Sequence, residues 1–115
     1  AWLVPMVRQE YEAWPLAQEH VARLTREMRG FETMKIRAAI NWINYTPELH
    51  RINCPTLSIV GDRSDLAIGW MRRLTDAIPN ARLAVVEDSF DPTNLCQPET
   101  FNRLLADFLQ RKSQA

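Results

Sequence analysis

The run Ile52-Asn-Cys-Pro-Thr-Leu-Ser-Ile-Val-Gly-Asp-Arg-Ser-Asp65 leaves this chain few folds to choose from. Pro55 cannot donate a ladder hydrogen bond, so it suits the residue where a strand begins. Thr56 to Val60 is short, β-branched and apolar toward both faces, the pattern of a strand covered by helices on each side. Gly61 closes the run and permits a tight turn. Asp62 and Asp65 then follow at the carboxyl end of the strand, where ligands and catalytic groups gather in open α/β sheets. From Leu66 the apolar residues take helical spacing, and Ala67, Met71, Leu74 and Ile78 predict the buried side of a helix over Leu66 to Ile78. Pro79-Asn80 reads as a turn, and Ala81 to Glu87 as a second strand. A helix joins the two strands, so they should be parallel neighbours with a right-handed crossover.

The remainder is helical. Pro5 and Pro15 each suit a first-turn position. From Pro15, the residues Ala17, Val21, Leu24 and Met28 keep helical spacing up to Gly30, a good stop. Phe31 to Ile43 repeats the pattern with Ile36, Ile40 and Ile43 on one stripe. Trp2, Trp14 and Trp42 add large apolar surface, assigned to core in preference to a pocket lining. Thr46-Pro47-Glu48 reads as an N-cap and first-turn proline, giving one short helical turn before the strand. After the second strand, Asp88 to Gln97 is a loop. Pro98-Glu99 opens a last helix with Phe101, Leu104, Leu105, Phe108 and Leu109 on a broad apolar stripe, and the tail from Ser113 to Ala115 should fray. The organisation is therefore a helical segment over residues 1–45 and an α/β segment over residues 46–115.

Lysine and arginine balance aspartate and glutamate, 14 against 14. With no basic run, nucleic acid is a poor partner. The apolar runs are too short to span a membrane, and no signal-peptide pattern is present, which points to a cytoplasmic protein. Cys54 and Cys96 lack CxxC spacing and read as small thiols rather than metal ligands or a disulfide. No cofactor is called for. The chain begins at Ala1, and its first residues read as the middle of something longer.

Three stretches together carry a resemblance. Ile52-x-Cys-Pro-Thr-Leu-x-Ile-x-Gly61-x-x-x-Asp65 resembles the segment bearing the catalytic acid in α/β-hydrolase-fold enzymes. Ala77-Ile-Pro-Asn-Ala-Arg-Leu-Ala-Val-Val-Glu87 resembles the helix end and last strand that follow it. Asn94-Leu-x-Gln-Pro-Glu-x-Phe-Asn102, continued by Leu104-Leu-x-x-Phe-Leu109, resembles the segment around the final helix. Order and spacing agree over roughly the last 65 residues. The resemblance implies the C-terminal portion of an α/β-hydrolase fold, with residues 1–45 as a helical cap before a parallel βαβα unit. Of the family's much larger sheet, this chain would supply the last two strands. The G-x-S-x-G nucleophile elbow does not occur in it.

The resemblance implies that Asp65 holds the triad-acid position, orienting a histidine and stabilising its cation. Read from its own position, Asp65 could instead cap the helix that follows, and the two roles are compatible. The family's histidine, usually preceded by glycine, should fall within Ser89-Phe90-Asp91-Pro92-Thr93, yet Asp91 stands in its place and Phe90 in that of the glycine. A carboxylate with an ordinary pKa near 4 is a poor substitute for a base that must take and return a proton near pH 7. Asp62 and Ser64 read as turn residues. Asp88, beside Asp91, could shape the site or be solvated. His20 on a cap helix and His50 before the strand stand away from the family's position.

The expectation is an ester-, thioester- or amide-hydrolysing protein, active on a small-molecule substrate only when the half carrying the serine nucleophile completes it. The alternative is a catalytically degenerate relative that binds a ligand or serves as a partner subunit. A stand-alone domain that merely resembles the family is disfavoured by the apolar first strand, which makes a poor exposed edge. The expected partner is the N-terminal half on another chain, or less simply a swapped homodimer, burying well over ~2,000 Å². The isolated chain should lack serine-hydrolase activity.

Overall fold

The structure, a computed structural model, describes residues 8–113. The expected helix start at Pro5, the Trp2 ring, and the tail residues Gln114 and Ala115 lie outside the described residues. Two compact units divide between Tyr45 and Thr46.

In the first unit, helix α1 spans Pro15–Glu27 and α2 spans Gly30–Ile40. Pro15 opens α1 at the position where its missing N–H costs nothing. Ahead of it, Tyr11 and Trp14 are buried with their rings edge to face, centroids 6.5 Å apart. Ala17 and Ala22 are the buried residues of α1. Gly30 does not stop the first helix as expected. Met28 and Arg29 both turn extended, and Gly30 opens α2 instead. The Thr25 hydroxyl donates to the Val21 carbonyl at 2.8 Å, a local bond that competes with regular helix just before the break. Trp42 departs further from expectation: it is 90% exposed, within a stretch from Phe31 to Glu48 in which every residue is exposed. The isoleucine stripe Ile36, Ile40 and Ile43 is exposed with it.

The second unit runs through a 3-10 turn at Thr46–Arg51, strand β1 at Thr56–Gly61, helix α3 at Asp65–Ala77, strand β2 at Ala81–Val86, a short helix α4 at Thr93–Cys96, and helix α5 at Pro98–Ser113. The strands are parallel and paired from Thr56↔Ala81 to Gly61↔Val86, as the strand-helix-strand pattern requires. Helix α3 packs on both strands, α5 on β2 and α4 on β1. The core sits where these meet, at Val60, Thr75, Ile78, Val86, Ser89, Thr93 and Cys96. Two expectations shift here. Thr75 is the buried residue of α3 and Leu74 is exposed. The loop after β2 contains the α4 turn, whose Leu95 and Cys96 amides both donate to the Pro92 carbonyl at 3.1 Å.

Candidate functional site

The register Gly61↔Val86 sends both strands out of the sheet at the same level. Their two following loops, Asp62–Ser64 and Glu87–Pro92, therefore lie side by side at the carboxyl end. A ladder of bonds ties them together. The Asp62 amide donates to the Val86 carbonyl at 3.0 Å, and the Arg63 amide to the Ser89 carbonyl at 3.1 Å. In return the Ser89 amide donates to Asp62 Oδ1 at 3.2 Å. The Arg63 guanidinium pairs with the Asp88 carboxylate. Asp88 is held at φ 51°, left-handed backbone that aspartate tolerates better than most residues. Its carbonyl accepts from Gln97 Nε2 at 2.8 Å.

Gly61 belongs to this contact, for a reason other than a turn. No glycine here has a positive φ. A Cβ at Gly61 would sit 2.7 Å from the Ser89 carbonyl carbon and 3.0 Å from the Phe90 oxygen, and nearer still to the Ser89 oxygen. Glycine is required because another backbone passes where a side chain would be.

Ser64 is the N-cap of α3, its Oγ accepting from the Ala67 amide at 3.2 Å. Asp65 is not the cap. It is the first helical residue, exposed, and no hydrogen bond or ion pair among the described residues uses its carboxylate. A negative charge in the first turn is favoured by the helix dipole. Asp91, in the companion loop, accepts from the Thr93 hydroxyl at 3.1 Å. Together with Ile59, Val60, Ala67, Trp70 and Met71, it lines a hollow of about 380 Å³ beside the exposed side of β1 and α3. The site is thus an apolar hollow with a carboxylate at its rim.

The electrostatics follow from the ladder. The amides of Ser89 and Asp88, with Arg63 nearby, hold the Asp62 carboxyl below the usual aspartate range. Asp88 in turn pushes the Arg63 guanidinium up. Burial pushes the Cys96 thiol up, and Cys54 is exposed; both are free. Among the described residues no cluster of histidine, cysteine or acidic side chains could hold a metal ion. No helix among them is long and apolar enough to cross a membrane. His20 lies on α1 with Nδ1 3.4 Å from an Arg23 nitrogen, and His50 is exposed in the 3-10 turn that precedes β1. Neither stands in the two loops. Sequence reasoning missed the ladder: it took Asp62 for a turn residue, and Ser89 carries no motif signal. The detectable trace was an acidic-basic pair directly after a strand-ending glycine.

The two parallel strands and the helices packed on them have the fold of part of an α/β-hydrolase. The likeness extends to the solved structure of MenH from S. aureus, with a TM-score of 0.61 and 20% identity over 62% of this chain and 27% of that one. Among curated proteins, one from Pseudomonas savastanoi pv. phaseolicola, named "Putative carbamate hydrolase RutD", is 32% identical over 92 residues. A protein of the same name from Rhizobium rhizogenes is 32% identical over 115 residues. The chain spans 32% and 44% of the length of these two relatives. No family model matches the sequence.

Proposed function

We propose that this chain is the acid-bearing portion of a hydrolase acting at an acyl or carbamoyl carbon of a small molecule, active only when joined to the strands that carry a serine nucleophile. The observation that carries the reading is the uncommitted Asp65 carboxylate at the carboxyl end of β1. Ser64 performs the capping, so Asp65 is left able to orient an imidazole. In that role it would accept the Nδ1–H of an imidazole brought by the completing half, since position 91 carries aspartate, and stabilise the cation formed when the other nitrogen takes the serine proton. The relatives' name supports a carbamate as one substrate of this kind. The helices of residues 1–45 would serve as the cap segment of that hydrolase. The completing partner is the N-terminal half of the same fold, because β1 pairs only with β2 among the described residues and presents its other edge unpaired. No cofactor enters the reaction.

One observation favours a second reading, a catalytically degenerate protein that keeps the fold for ligand binding. Asp91 occupies the place where the resemblance puts the histidine, and Thr93 already donates to it. The second unit's own histidine, His50, lies in the 3-10 turn before β1 and not in either loop.

The test is labelling by a fluorophosphonate probe and carbamate-ester hydrolysis, measured on the complete protein and on Asp91→His and Asp65→Asn variants. The hydrolase reading expects Asp65→Asn to lower the rate by about 10³–10⁴-fold, the scale for spoiling a triad acid. No turnover in the unaltered protein, with turnover appearing in Asp91→His, would instead establish the degenerate reading. An unchanged rate in Asp65→Asn would remove Asp65 from the chemistry.

A further inference from the structure

The loop bearing residue 91 is held partly by its own turn, through the Thr93 hydroxyl on Asp91 and Gln97 on the Asp88 carbonyl. It is also held by its neighbour, through five ties, four from the two residues after Gly61 and one from Gly61 itself. Asp62 accepts the Ser89 amide at 3.2 Å, two residues from Asp91. The Asp62 and Arg63 amides donate to Val86 and Ser89 at 3.0 and 3.1 Å. The Arg63 side chain takes the Asp88 carboxylate. The fifth tie is the backbone approach that only Gly61 allows. On the other flank, the Ser64 cap sets the start of α3, and with it Asp65. Asp62 and Arg63 thus lie between the two site positions, three and two residues before Asp65, and reach across to the loop of the other.

From this geometry we infer that Asp62 and Arg63 are positioning residues, which fix the side chain at position 91 against the Asp65 carboxylate. The inference rests on the reading of Asp65 as the acid position and of position 91 as the place the resemblance gives to the histidine. It assigns to Asp62 a role distinct from a second catalytic acid: its carboxylate is occupied by main-chain donors, whose bonds hold it in the charged form. Asp62 acts through Ser89 and touches no reacting atom.

The experiment installs a reporter at position 91. In the complete protein, Asp91→His with isotope-labelled histidine gives an imidazole whose titration is followed by NMR. A carboxylate in contact raises an imidazole pKa by about one unit or more. The reading of the site expects that rise to vanish in Asp91→His/Asp65→Asn. The positioning role expects Asp62→Ala, added to Asp91→His, to diminish the Asp65-dependent rise. Coulomb attraction falls with separation, so a loop displaced from ~4 to ~6 Å loses roughly a third of it. Asp62→Asn keeps an oxygen acceptor for the Ser89 amide and should restore the rise. If the rise depends on Asp65 but is the same in Asp62→Ala, the positioning role is overturned while the site reading stands. If no dependence on Asp65 exists, the site reading fails and the inference with it. Should Asp62→Ala not fold, the exposed Arg63→Gln decides. A diminished Asp65-dependent rise then supports the role, and an unchanged one refutes it.

Discussion

Replacing Gly61 by alanine should be the most damaging single-methyl change in the second unit. The added Cβ would lie 2.7 Å from the Ser89 carbonyl carbon and 3.0 Å from the Phe90 oxygen, with the Ser89 oxygen closer than either. Both obstacles are backbone, so no side-chain rotamer can relieve them. Moving the loop away by the needed fraction of an ångström strains the Arg63 amide to Ser89 carbonyl bond and the Ser89 amide to Asp62 bond together. Overpacking costs about 1–3 kcal/mol, and each loosened hydrogen bond adds about 0.5–1.5 kcal/mol. The expected loss is therefore about 2–6 kcal/mol, a fall in Tm of order 10–25 °C at about 4 °C per kcal/mol. Equilibrium urea unfolding and a thermal melt of the complete protein measure it. Gly69→Ala is the control. That glycine lies inside α3 with nothing within 4 Å of its would-be Cβ, and the change should stabilise by about 0.5–1 kcal/mol. If Gly61→Ala lies within ~0.5 kcal/mol of the parent, the tight approach of the two loops is not real.

The remaining expectations are simpler to read. Ser64→Ala should cost about 1 kcal/mol in urea unfolding, the usual price of losing an N-cap oxygen, whereas Asp65→Asn should leave the cap intact; equal losses would contradict the capping assignment. Asp62 is depressed in the folded state, so its stabilisation is present above the unfolded carboxyl value near pH 4 and is lost as pH falls through the lower folded value. With Arg63 and Asp88 the charged groups facing it, the stability advantage of the parent over Asp62→Asn should shrink as pH falls below about 5, and an advantage independent of pH would refute the linkage. Iodoacetamide should alkylate exposed Cys54 in the folded protein and reach buried Cys96 only on unfolding, which mass spectrometry of tryptic peptides distinguishes.

The strand-helix-strand unit was legible because each of its parts is set by local chemistry. Proline begins β1, a β-branched run builds it, and helical spacing from Leu66 returns the chain to β2 in parallel register. The positions of Asp65 and Asp91 were equally legible as carboxyl-end residues. What ties their two loops together was not. The bonds from Asp62 and Arg63 to Ser89 use that residue's main-chain atoms, which leave no pattern in residue identity, and the Arg63–Asp88 pair joins side chains 25 residues apart. Gly61 shows the same limit in another form. Its presence was visible, but a glycine needed for a turn and a glycine needed for a passing backbone look alike until the neighbour is placed. The early stop of α1 depends on two residues, Met28 and Arg29, turning extended against their helical propensity.

The apolar pattern and the observed exposure disagree in one place that bears on function. Periodicity reports which side chains the whole folded protein must cover, whereas exposure reports what this chain covers by itself. On α3 the difference is localised. Met71 is partly buried against the strands, while Leu66, Trp70 and Leu74, spaced four apart on one side of the helix, are 62%, 57% and 37% exposed. Trp70 borders both the hollow beside β1 and a second hollow lined by Thr46, Leu49, Arg73 and Leu74. A fully buried leucine or tryptophan contributes roughly 1.5–3 kcal/mol, so leaving three such side chains in water forfeits a sum comparable with the whole stability of a small domain. The uncovered side of α3 and the unpaired edge of β1 thus make the same demand. Under the proposed reading, the strands that bring the serine would meet both, and the surface that stabilises the fold would then also close the site.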